Sequence, residues 1–215
     1  ALGRLFETKG EIEKAAETLE KLLKLLEGDA AIKMSLRLAD LFGKIKQDEG
    51  IRRSLEHGLS VKKDDAQVRE MLHKLYERTG AWAELASMTA EDAEASADQA
   101  TRIRLLKAAA EIHTSKRQDA LAASELLEKA SAIVPDDRDL LLSLCDAYSA
   151  CGRGKDAVKA LEKIVESYGG KRVKELADIH HRLAKAYLAD GEKDRGLAEL
   201  DMAFKINPGN LGILV

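Results

Sequence analysis

The chain has 215 residues, 45% hydrophobic, 34% charged and 4% aromatic, with only two prolines; this suits long helices of Ala, Leu, Glu and Lys and argues against a β-rich fold. A formal net charge of −3 with both signs intermixed gives no basic field for nucleic acid, and no apolar run reaches the ~18 residues of a membrane span. Cys145 and Cys151 match no zinc or redox spacing, so a cytoplasmic location is the default expectation.

From the N-terminus, Leu2, Gly3 and Phe6 enter a helical pattern midway, and after Gly10 the run Ile12, Ala15, Ala16, Leu19, Leu22, Leu23 and Leu26 predicts a second helix. Residues 32–42 and 51–59 predict the next pair, joined by a charged turn over residues 43–50. Residues 66–95 are the least regular stretch, with His73 where a small residue is expected. Trp82 opens the second helix of that pair and is expected to pack back on the hairpin. A helix from about residue 98 to residue 114 precedes one over residues 120–133. Counting between them requires about two extra residues in the loop 115–119. Pro135 stops that helix, and an Asp caps the one after it.

The stretch 139–168 is the clearest. Leu141, Leu144, Cys145 and Tyr148 form one stripe, Gly152 and Gly154 break it, and Ala157, Leu161, Ile164 and Val165 form a second. Two helices joined so closely lie antiparallel and leave apolar surface for a neighbour to cover. The Tyr148 place recurs at Phe6, Phe42, Tyr76, Ile112 and Tyr187, giving successive differences of 36, 34, 36, 36 and 39 by subtraction.

This ladder, with small residues at Gly3, Ala39, Ala109, Cys145 and Ala184 and the set Leu183, Ala184, Tyr187, Gly191, Leu200, Ala203 and Pro208 in the last unit, resembles the tetratricopeptide repeat. The resemblance implies an all-α fold, a right-handed α-α superhelix (solenoid) of helical hairpins. The hairpins fall roughly at 1–28, 30–63, 65–95, 98–135, 137–170 and 171–209. Residues 210–215 are expected to start a further helix, and both ends read as cut from a longer protein.

The resemblance also implies a non-enzymatic protein-interaction scaffold that binds a peptide or partner protein in a concave groove lined by the first helices. Carried over by register, the partner-binding residues are Lys74, Arg78, Ile103, Leu106, Leu142, Asp146, His181 and Lys185, with an apolar patch at Ile103, Leu106 and Leu142. That patch is equally readable as packed against a neighbouring helix. Members that clamp a C-terminal carboxylate use an Asn where this chain has Asp40, Lys74, Ala110, Asp146 and Lys185, so that clamp is not expected.

No catalytic residues, metal or cofactor are expected, since the chain shows no phosphate loop, no nucleophile elbow and no paired helical histidines; adjacent His180 and His181 point ~100° apart. The alternatives are an interaction arm of a larger multidomain enzyme or signalling protein and, less favoured, an RNA-binding helical repeat. Weak self-association through the array ends is expected from uncovered apolar residues around Leu200, Ala203, Leu211 and Leu214.

Overall fold

The computed structural model describes residues 2–171 and 173–209. Among the described residues the chain forms twelve α-helices and no strand. They are α1 (Leu2–Thr8), α2 (Ile12–Leu23), α3 (Gly28–Lys44), α4 (Asp48–Val61), α5 (Ala66–Thr79), α6 (Trp82–Ala95), α7 (Gln99–Ile112), α8 (Ala120–Ile133), α9 (Arg138–Ala150), α10 (Gly154–Ser167), α11 (Lys174–Ala189) and α12 (Lys193–Ile206). A π-helical turn, His113–Arg117, extends α7. The chain divides into two compact units, Ala1–Leu85 and Ala86–Val215.

One turn recurs through the ladder. A residue in the left-handed region stands four places after the ladder residue at Gly10, Lys46, Gly80, Gly152 and Gly191. The next amide then donates back to the ladder residue's carbonyl at 2.8 to 3.0 Å, as Arg153 does to Tyr148. This is the helix-ending bond that lets a chain reverse at once. Glycine suits four of the five places because it bears φ near +75° without steric cost. In the fourth hairpin the left-handed residue is Gln118, six places after Ile112. The two extra residues are taken up as the π turn, closed by Asp119 N–H donating to the His113 carbonyl at 2.9 Å.

Four helix starts are capped by aspartates. The carboxylates of Asp65, Asp98, Asp119 and Asp137 accept from the amides of Val68, Thr101, Ala122 and Leu140, relieving N–H groups that the first turn leaves unpaired. The charged turn expected over residues 43–50 is shorter in the structure, since α3 runs to Lys44 and α4 begins at Asp48. Gly50 therefore lies inside α4, beneath the Phe42 ring, where a Cβ would stand 2.4 Å from the ring carbons. Trp82 packs over its own turn, its Nε1 3.5 Å from where a Cβ on Gly80 would be.

In the first unit the core gathers Ala16, Leu19, Leu23, Ala31, Leu38, Leu41 and Phe42 from α2 and α3. In the second a continuous core runs through α7 to α11, from Leu106 and Ala109 to Leu183 and Tyr187. Three ladder tyrosines tie each first helix to the second helix of the preceding pair. Tyr76 donates to Glu56 at 2.9 Å, Tyr148 to Glu128 at 3.0 Å and Tyr187 to Glu162. An arginine covers each ring: Arg52 at 5.8 Å, Arg153 at 4.5 Å and Arg195 at 4.5 Å from the centroid.

In the last hairpin Ala203 is fully buried with Ala177, and Leu200 packs half-buried against them, contrary to the uncovered face expected there. The exposed large apolar residues of α12 are Leu197, Met202 and Phe204. The further helix expected from Leu211, Ile213, Leu214 and Val215 lies outside the described residues.

Candidate functional site

Within the second unit, the first helices of three hairpins (α7, α9 and α11) line two adjoining grooves. One, of about 350 Å³, is bounded by Lys107, Ala110, Glu111 and Thr114 of α7 with its π turn, by Ala120 and Leu127 of α8, and by Ser143, Asp146, Ala147 and Ala150 of α9. The other, of about 510 Å³, lies between Cys145, Asp146 and Ser149 of α9 and Arg182, Lys185, Ala186 and Ala189 of α11. Asp146 lines both. They form one track that crosses α9.

The track has an internal order. Lys107, Ser143 and Arg182 each stand five places before a ladder residue, and Ala110, Asp146 and Lys185 stand two before. Glu111, Ala147 and Ala186 stand one before, and Thr114, Ala150 and Ala189 two after. Cations therefore gather toward one edge, and a strip of small apolar side chains runs along the other. The hydroxyls of Ser143 and Thr114 are occupied, donating to the carbonyls of Asp139 and Ala110 at 2.9 Å. Arg182 donates to Asp146 at 2.6 Å across the groove.

Of the partner-binding residues expected from sequence, Asp146 and Lys185 line this track. Leu106 does not: it is 3% exposed and belongs to the core, so the apolar groove patch is corrected to a packed one. Ile103 and Leu142 pack half-buried against that same core. His181 is half-buried, and burial, then the Lys185 ammonium, lower its imidazole from the ordinary range. In the first unit, Arg78 holds Asp48 through two bonds of 2.8 and 3.0 Å, and Lys74 pairs with Glu70 at 2.5 Å on the same helix.

The reason for the Leu106 correction is helical phase. A step of four residues overshoots a 3.6-residue turn by about 40°, and a step of three falls short by about 60°. Leu106, Leu142 and His181 each stand four places before Ala110, Asp146 and Lys185, and the overshoot turns Leu106 into the core and sets Leu142 half-buried against it. The groove instead takes the residues three before, Lys107, Ser143 and Arg182. Alanines at matching places in the fifth and sixth hairpins, Ala147 with Ala186 and Ala150 with Ala189, were the readable signal for the apolar strip.

Other features serve the fold. His180, buried, bonds through Nδ1 to Glu199 at 2.5 Å and links α11 to α12. Burial pushes the Cys145 thiol up. A recess at Asp136, Asp137, Asp139, Lys163 and Glu166 is lined by charged and polar residues; Arg138 there is held over the Tyr168 ring at 3.9 Å. Among the described residues no group of side chains is arranged to hold a metal ion, and no helix is long and apolar enough to cross a membrane.

A family model described as tetratricopeptide repeat matches residues 116–177, from the π turn into α11. No curated protein matches. Among solved structures, the chain is similar to YrrB, described as a TPR protein with an unusual peptide-binding site, at 17% identity and a TM-score of 0.52, covering 93% of this chain and 97% of that one. It is similar to PilW, described as a widely conserved type IV pilus biogenesis factor, at 18% identity and a TM-score of 0.51, covering 99% and 94%. A MamA structure is similar at 16% identity and a TM-score of 0.51, covering 87% and 97%. At these identities the likeness is one of fold. The sequence match to the tetratricopeptide repeat spans the fifth hairpin, and helical pairs of the same kind repeat through the described residues.

Proposed function

We propose that the chain is a non-catalytic protein-interaction scaffold whose α7, α9 and α11 face docks a peptide or a stretch of a partner protein. The observation that carries this is the track that crosses α9 at Asp146, with its Ala floor and charged rim. A floor of small side chains leaves room for a partner's larger ones, and polar groups at its edge set orientation. The description of YrrB, on a similar fold, as having a peptide-binding site supports the class of ligand.

A photo-crosslinking residue placed at Ala150 in the groove, and separately at Lys159, an exposed residue of α10, tests the reading in an extract of the source cells. Discrete adducts from position 150 and none from position 159 are expected. Adducts from 159 alone would contradict it.

We also propose weak contacts between copies, supported by the exposure of Leu25 (80%), Leu197 (60%) and Phe204 (43%). Sedimentation should show a mass that rises with concentration and loses that rise on Leu197→Glu with Phe204→Glu. A concentration-independent monomer mass in the unaltered chain would contradict it.

A further inference from the structure

The distribution of charge around the apolar strip specifies what kind of segment the track suits. Among the described residues neither Lys107 nor Lys185 makes an ion pair, although both line the groove. Arg182 has one acidic partner, Asp146, and both side chains are well exposed, at 45% and 65%. An ion pair that open to water contributes ~0 to 1 kcal/mol, so an incoming carboxylate can replace Asp146 at little cost. The guanidinium also offers a second pair of N–H donors for that exchange. The groove anions are placed differently: Asp146 is already matched by Arg182, Glu111 lies on the strip side of α7, and Asp190 lies just past the end of α11.

We propose that the track takes an extended acidic segment whose apolar side chains rest on the Ala147, Ala150 and Ala186 strip while its carboxylates meet Lys107, Arg182 and Lys185. This rests on the docking reading above and adds the chemistry of the partner. The three cations span α7 to α11, so a single carboxylate does not satisfy them; the segment carries several, alternating with apolar residues. A basic segment would leave the cations unmatched and place like charges against them.

The test uses two fluorescein-labelled peptides, one alternating leucine with aspartate and the other alternating leucine with lysine, with binding to the whole chain followed by anisotropy. The aspartate peptide should bind about tenfold or more tighter at low salt, with the gap closing as salt screens the rim. Lys107→Glu with Lys185→Glu should reverse the preference. Ala150→Trp, at an exposed position that tolerates bulk, should remove binding of both, with an unchanged circular dichroism spectrum as the check on folding. Equal binding of the two peptides that is lost in Ala150→Trp would overturn the acidic preference and leave the docking reading standing. Binding indifferent to Ala150→Trp would overturn both, and no binding of the aspartate peptide would overturn the proposal.

Discussion

The phenol of Tyr148 donates to the Glu128 carboxylate at 3.0 Å, and Arg153 closes the group by bonding the same oxygen at 2.6 Å while lying over the ring. The contact joins α9 to the second helix of the preceding pair, and Tyr76 and Tyr187 repeat it. Burial, then Glu128, push the Tyr148 phenol from its usual 10 up to about 12, and burial, then Glu162, do the same for Tyr187.

The native fold thus favours these phenols neutral. Their contribution is complete below about pH 10 and drains away as pH rises toward about 12. Urea midpoints measured across this range should be flat and then fall. Tyr148→Phe should cost ~1 kcal/mol at neutral pH and shallow the alkaline fall. A fall of unchanged steepness in that variant would mean that another group governs it.

Ala184 is fully buried, and its carbonyl stands 3.2 Å from where a Cβ on Gly196 would lie. The backbones of α11 and α12 approach closely there, so Ala184→Leu should destabilise by ~1 to 3 kcal/mol through overpacking. Chemical denaturation reads this directly; an unchanged midpoint would show that the site has slack.

Much of the fold was legible in the sequence because its signals are local and repeated. Stripes such as Leu141, Leu144 and Cys145 mark helix faces, and Gly152 and Gly191 mark the reversals after Tyr148 and Tyr187. Counting alone found the two extra residues after Ile112, though not that they would be wound into a π turn. The groove was less legible. Its face differs from the core face by tens of degrees of rotation, and spacing from the ladder identified Asp146 and Lys185 but assigned Leu106 to the wrong side.

Leu106 offers a sharp check on that phase. Leu106→Glu puts a carboxylate into the core and should cost ~3 kcal/mol or more. Lys107→Glu, one residue on and at the groove, should stay within ~0.5 kcal/mol. Comparable losses from the two would contradict the rotation assigned to α7.

Ser35 is fully buried and its hydroxyl has no hydrogen-bond partner among the described residues. Its Cβ and Oγ lie 3.1 and 3.2 Å from where a Cβ on Gly58 would be, so the site requires a small side chain rather than a hydroxyl. Ser35→Ala should leave stability unchanged or raise it by up to ~1 kcal/mol in thermal unfolding. A clear loss would reveal a partner for the hydroxyl.

The central claim is that the α7, α9 and α11 face is where a partner binds, and backbone amide shift mapping by NMR tests it most directly. The isotope-labelled chain is titrated with the alternating leucine and aspartate peptide. The account predicts that the largest shifts fall within residues 107–114, 143–150 and 182–189, with α10 and α12 little changed. Shifts centred on α10 and α12, with those three stretches unmoved at saturation, would contradict it.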